Sequence, residues 1–293
     1  MDVIATSSDN QLPVAVAQFT VAREPERNLA LIDAFARDAA QGGAKLLVLP
    51  EGLIARDGDD DSFAAAHAQS IDGPFVTGLR RISADRRITL MGTVHVVPDA
   101  RNGRVGDACF DDCSDNHPDN RVSNAFLVAR EGDIIANYRK LHLYDAFTAR
   151  ESDVVRPGDE LPPIVDINGW RIGMMTCYDV RFPETARSLA VRGADAIVVS
   201  AAWVRGDSKE RHWRLLTAAR AVENTCYVLA CSEVSKRNIG CSRIIDPMGE
   251  TMAEAGDTQS GLINAVLDRN RLERVREVLP VLKNRRFADP QLA

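Results

Sequence analysis

The chain lacks any apolar run approaching the roughly 20 residues a membrane-spanning helix needs, so no membrane partner is expected. It also lacks a basic surplus. Its 36 Lys and Arg stand against 42 Asp and Glu, a formal net charge of −6. That balance argues against a nucleic-acid surface, which would require a basic stripe. Cysteine is sparse, six at irregular spacing in 293 residues. The pattern excludes a dense disulfide framework and fits a reducing cytoplasm. No stretch reads as an interdomain linker. The segment Met1 to Gln11 is polar and acidic, without the basic start and apolar centre of a secretory signal, and reads as a disordered tail. Residues 12–293 then form a single domain, near the size at which one core stops growing.

What the chain does contain is an internal echo. Val14–Phe19 reads as a strand, followed by an amphipathic helix over about 26–41 and the strand Lys45–Leu49. A helix over 74–86 and the strand Thr89–Val96 come next, then two strands, 125–128 and 134–138, around a turn. The second half repeats the order: strand 171–176, helix 183–191, strand 196–200, helix 209–224, strand 226–230 and a hairpin over 242–253. A last helix, about 269–278, precedes a basic tail, 281–293. Strands that are apolar throughout need cover on both faces. Two such sheets with helices outside predict an α/β fold, a four-layer α-β-β-α sandwich with pseudo-twofold symmetry. A single doubly wound sheet is the alternative.

Functional groups in α/β folds gather past the carboxyl ends of strands. Glu51 follows Leu46-Leu-Val-Leu-Pro50, Lys140 follows Ile134–Arg139, and Cys177 follows Ile172–Thr176. A lone carboxylate after a strand, or a basic pair such as Arg139-Lys140, is commonly a solvated loop. A carboxylate, an ammonium and a thiol together are what acyl transfer from an amide requires. The carboxylate takes the thiol proton and returns it to the leaving amine. The ammonium stabilises the tetrahedral oxyanion, with the backbone N–H of Tyr178 as a second donor. The ammonium, and helix N–H groups beyond the elbow, should also favour the anionic thiol.

Leu49-Pro-Glu51, Tyr138-Arg-Lys140-Leu-His-Leu-Tyr-Asp145 and Thr176-Cys177-Tyr-Asp-Val-Arg-Phe-Pro-Glu184 resemble the three signature blocks of the nitrilase (carbon–nitrogen hydrolase) superfamily, a resemblance running from about Val14 to Leu292. It implies an α-β-β-α fold, a Glu51–Lys140–Cys177 triad acting through a thioester, and no metal or organic cofactor. It also implies a homodimer or larger assembly, with the interface near the elbow helix and the C-terminal tail. The family's second glutamate falls on Glu151, which otherwise reads as an exposed residue of a helical turn. Cys177-Tyr178-Asp179 replaces the Cys-Trp-Glu of nitrile-hydrolysing members and resembles the Nit-type amidase branch. With Ala201–Gly206, His212-Trp213 and Val281–Phe287, the likeness is to its bacterial deaminated-glutathione amidases. An ω-amidase and a carbamoyl-amine hydrolase are the catalytic alternatives; a non-catalytic binding module on the same fold is the other.

The implied substrate is a small anionic amide, and an anion needs a cation. Arg181 and Arg205 are the candidates, although Arg181 reads slightly better as an ion pair to Asp179 or Glu184. Trp203 reads as a pocket wall. His142 and His212 are expected to make buried structural hydrogen bonds, and Cys226, Cys231 and Cys241 to be core thiols. The acidic insertion Pro98–Arg121 reads as a surface loop. Its Cys109, Cys113 and His117, spaced by four, lack the fourth ligand of a structural zinc site, so no metal is expected.

Overall fold

The structure is a computed structural model that describes residues 10–60, 62–98 and 120–293. Cys109, Cys113 and His117, with most of the 98–121 insertion and the tail before Asn10, lie outside the described residues. Gln11 does not belong to a tail: it opens the first strand and pairs with Asp268.

The first sheet contains β1 (Gln11–Gln18), β2 (Leu46–Val48), β3 (Thr89–Val96), β4 (Val122–Arg130), β5 (Asp133–Arg139) and the short β6 (Val155–Arg156). The second contains β7 (Ile164–Ile167), β8 (Trp170–Thr176), β9 (Ala196–Ala201), β10 (Tyr227–Ser232), β11 (Arg243–Ile245) and β12 (Thr251–Glu254). The last strand, β13 (Gly261–Asp268), returns to the first sheet and pairs antiparallel with β1. Strand order is β13-β1-β2-β3-β4-β5, with β6 beside β4, in one sheet and β12-β11-β10-β9-β8-β7 in the other.

The two halves repeat in hydrogen bonding as well as in sequence. From β1 to β5, and again from β8 to β12, successive pairings are parallel, parallel, antiparallel, antiparallel. Each leading strand also carries an antiparallel neighbour, β13 on β1 and β7 on β8. These two strands are absent from the sequence reading. Most of β13 is only partly buried, so it carries no apolar run of the kind that announces the central strands.

Pro25 at the start of α1 (Pro25–Gln41) and Pro74 at the start of α3 (Pro74–Arg86) occupy the position where a missing N–H costs nothing. Between these two helices lies the short α2 (Phe63–Ala66). Ile32, Ala36 and Ala39, spaced along one face of α1, pack with Leu79 and Ile82 of α3 on the outer face of the first sheet. On the second sheet, α4 (Pro183–Val191) and α5 (Lys209–Asn224) do the same with Leu189, Trp213 and Ala221. Between the sheets, Val14, Val48, Met91 and Phe126 face Ile172, Met174, Val198 and Leu229. Three apolar layers thus separate four structural layers. The α-β-β-α sandwich is the observed architecture, and the single doubly wound sheet is excluded. Finally, α6 (Arg269–Val278) sends Leu272 into the layer between the sheets, and the short α7 (Val281–Asn284) follows.

Candidate active site

Glu51, Lys140 and Cys177 come from three different strand ends and line one cavity of about 450 Å³, with Tyr178, Arg181 and Trp203. Glu51 lies just beyond β2 and is buried. Its backbone N–H donates to Ala201 O (3.1 Å) and its Oε2 accepts from Ala202 N (2.9 Å), so it joins the first sheet to the end of β9. Lys140 follows β5; its N–H donates to Asn124 O (3.0 Å) and its own carbonyl accepts from Gly158 (2.8 Å).

The ammonium of Lys140 bridges two carboxylates. Nζ lies 3.0 Å from Glu51 Oε1 and 2.8 Å from Glu151 Oε2. Glu151 is therefore no exposed turn residue. The loop after Lys140 folds back on itself, and Tyr144 N donates to Glu151 Oε2 at 2.7 Å. Asn124 Nδ2 donates to Glu51 Oε1 (2.8 Å) and to Glu151 Oε1 (3.3 Å), completing a closed network. Its only trace in the sequence is a polar residue inside an apolar strand.

Cys177 is half-buried and takes a left-handed backbone (φ 42°) where β8 turns into a short 3₁₀ turn, Cys177–Arg181. α4 starts only at Pro183, beyond this turn. Two residues on, Asp179 is fully buried and accepts from Thr176 N (2.9 Å), Tyr138 Oη (2.8 Å) and His142 N (3.2 Å), with His142 Nδ1 at 2.8 Å. Tyr138 and His142 flank Lys140, so one carboxylate holds the Cys177 elbow against the lysine's segment. His142 also stacks on Phe182 at 3.7 Å.

Electrostatics set the resting protonation state. Burial pushes the Glu51 carboxyl up, but the charges of Lys140 and Arg56, with hydrogen bonds from Lys140 and Asn124, outweigh it and hold it near 2. Burial pushes Lys140 down, yet the facing carboxylates Glu151 and Glu51 raise it overall. The Cys177 thiol is raised well above its usual value, by burial first and by Glu51 second, against the opposing charge of Lys140. The expectation of a stabilised thiolate is corrected here. The electrostatics thus favour a protonated thiol beside an ionised carboxylate.

Arg181 forms no ion pair with Asp179 or Glu184 among the described residues, contrary to the sequence reading. Its guanidinium stacks over Trp203 (4.8 Å to the ring centre) and approaches His212 Nδ1 at 3.5 Å. His142 and His212 are only partly buried. Arg205 turns away, to Ser235 O (3.1 Å) and Asp257. The sequence reading missed Lys209, at the start of α5. It is buried in the cavity wall, donates to Tyr144 Oη (2.7 Å) and lies 4.0 Å above the Phe147 ring. Burial and neighbouring Arg181 both lower its pKa, and no carboxylate pairs with it among the described residues. Cys226, Cys231 and Cys241 are buried free thiols, as expected.

Residues 13–277 match the family described as Carbon-nitrogen hydrolase. A relative named deaminated glutathione amidase, from Escherichia coli O157:H7, is 43% identical over 95% of this chain and 99% of its own. The chloroplastic omega-amidase of Arabidopsis thaliana is 31% identical, covering 93% of this chain and 72% of its own. Among solved structures, a mutant of the Nesterenkonia AN1 amidase from the nitrilase superfamily superimposes with a TM-score of 0.75 at 27% identity, over 94% of each chain. The chain belongs to the carbon–nitrogen hydrolase family and is a hydrolase of linear, non-peptide amide bonds.

Proposed function

We propose that the enzyme hydrolyses a short ω-amide that also carries a carboxylate, with deaminated glutathione the first candidate. The carrying observation is the pair Arg181 and Lys209, two cations without carboxylate partners among the described residues, in the cavity that holds the thiol. A buried cation that the protein leaves uncompensated is a place for a ligand's anion. The same pair disfavours a carbamoyl-amine substrate, which would call for acidic residues there. An ω-amidase acting on a 2-oxo acid amide is the second reading, favoured by the 31% identical relative of that name.

In this mechanism Glu51 takes the proton of Cys177 as sulfur attacks the amide carbonyl. Lys140 Nζ and the N–H of Tyr178, in the first turn of Cys177–Arg181, receive the developing oxyanion. Glu51 then protonates the leaving amine, the C–N bond breaks, and a thioester remains. Water deprotonated by Glu51 cleaves the thioester, and the proton returns to sulfur. Glu151 positions Lys140 and keeps it charged, and Trp203 supplies the wall on which Arg181 rests. Every step uses groups of the chain itself, so the proposal names no metal or organic cofactor.

Residues 12–293 are read as one domain because the middle apolar layer draws on both halves. The cytoplasm is the proposed location, supported by the free thiols. A homodimer or larger assembly is proposed, supported by exposed Leu215 and Val222 on α5, Met248 on the adjoining turn, and Phe287 in the tail. The test is release of ammonia or amine from deaminated glutathione, 2-oxoglutaramate, simple amides and nitriles. Turnover of the first, abolished in a folded Cys177→Ala variant, is expected. Retained activity in that variant refutes the mechanism, and inertness toward the whole panel revives the non-catalytic module.

A further inference from the structure

One loop reaches both buried lysines of the cavity. Between Lys140 and β6 the chain folds back on itself. Glu151 N donates to Tyr144 O at 3.4 Å, Tyr144 N to Glu151 Oε2 at 2.7 Å, and Ser152 N to Asp145 Oδ1 at 3.0 Å. At the base of this loop Glu151 holds the Lys140 ammonium, at 2.8 Å. Tyr144 and Phe147, from the same loop, hold Lys209. Tyr144, Thr148, Ala149 and Arg150 line the cavity together with Lys209. Phe147 stands outside that lining and is 83% exposed.

Phe147 is anomalous twice. Its backbone is left-handed (φ 59°), a region that bulky side chains rarely enter. Such a conformation persists only where the surroundings hold it, and the hydrogen bonds at the loop's base do so. Its ring is also left in solvent, so burial contributes little to keeping it there. What the ring does meet is Lys209, with Nζ 4.0 Å from its centre, its one aromatic or cationic contact among the described residues. The proposed mechanism does not use Phe147.

An ammonium has three N–H donors. The Tyr144 hydroxyl takes one, at 2.7 Å, and the Phe147 ring face takes a second. No carboxylate pairs with Lys209 among the described residues, which leaves the third for the cavity that it lines. The backbone of Lys209 is fixed as well. Its carbonyl accepts from Trp203 Nε1 at 2.9 Å, and Trp203 is the ring over which Arg181 stacks. We propose that Phe147 is a specificity-determining residue: its ring face, with the Tyr144 hydroxyl, orients the Lys209 ammonium toward the cavity to take the carboxylate of an anionic amide. The inference rests on the reading of Lys209 as part of an anion site and adds the residue that orients it. In this scheme Phe147 touches neither the thiol nor the scissile bond, so its effect falls on KM rather than kcat.

The test uses the full-length enzyme, with KM and kcat for deaminated glutathione and the thermal midpoint as readouts. Phe147→Leu keeps an apolar side chain but removes the ring face. It should raise KM about three- to tenfold, with kcat close to that of the wild type. Phe147→Tyr keeps the face and should keep the wild-type KM. In a Lys209→Met background, Phe147→Leu should change KM no further, because the contact it removes is already gone. Phe147→Asn suits the left-handed backbone, so it should raise KM while the thermal midpoint holds or rises. A wild-type KM in Phe147→Leu, or the same rise in the Lys209→Met background, overturns the role of Phe147 alone. So does a midpoint that falls in Phe147→Asn, which would make the ring a structural prop. A wild-type KM in Lys209→Met overturns the anion site, and a wild type inert toward deaminated glutathione overturns the proposed substrate; either takes this inference with it.

Discussion

Lys140 and Lys209 line the same cavity and are 2% and 7% exposed, yet their surroundings drive them in opposite directions. Burial penalises both ammonium groups. Lys140 meets two carboxylates and a network closed by Asn124, and its affinity for its proton rises. Lys209 meets a phenol, a ring face and another cation, and its affinity falls. One lysine is compensated by the protein's own carboxylates and sits beside the thiol in the proposed reaction site. The other is left without a carboxylate among the described residues, which suits the anion of the proposed substrate.

Lys140→Met should give the largest effect, because it leaves Glu51 and Glu151 facing each other in a buried site. Removing one partner of a buried ion pair costs about 3–5 kcal/mol, and losing the oxyanion donor costs about 10²–10³ in kcat. Denaturant midpoints and steady-state rates check both. A variant as stable as the wild type would break the view of a compensated cluster.

The pH dependence of stability is next. The Glu51 carboxyl falls from 4.5 to about 2 on folding. Its folded-state value lies below the unfolded one, so its contribution, about 3 kcal/mol, is present above pH 4.5 and is lost as pH falls toward 2. Urea unfolding at successive pH values should show this loss in the wild type. In Lys140→Met the acid loss should shrink, because burial then acts on Glu51 without its main counter-charge.

Lys209→Met should give the smallest effect on the fold, within about 1 kcal/mol, since no buried carboxylate is left behind. Its effect should appear in KM for anionic amides, raised about 10–100-fold, with kcat changed much less. Loss of stability comparable to that of Lys140→Met would erase the distinction between the two lysines.

Much of the fold was legible in the sequence, because β2, β3, β8, β9 and β10 are buried on both faces and read as unbroken apolar runs. The first carboxylate, the lysine and the thiol were legible because each directly follows a strand. Strands β7 and β13 were not, since their signal is pairing rather than burial. Asn124 and Lys209 were missed for a related reason. Their meaning comes from partners and neighbours that the fold alone brings near: Asn124 reaches Glu51 across 73 residues and Lys209 reaches Tyr144 across 65. The thiol's protonation was misjudged because burial and Glu51 outweigh Lys140.

The pairing of β13 with β1 joins the last strand of the chain to the first, Asp268 opposite Gln11, and Arg269 N donates to Asn10 O at 2.9 Å. During synthesis, this edge of the first sheet stays open until Gly261–Asp268 has emerged. Closing it demands contacts of high sequence separation, a topology that folds slowly. The nascent N-terminal half therefore carries an unpaired β1 edge, open to mispairing, until β13 arrives.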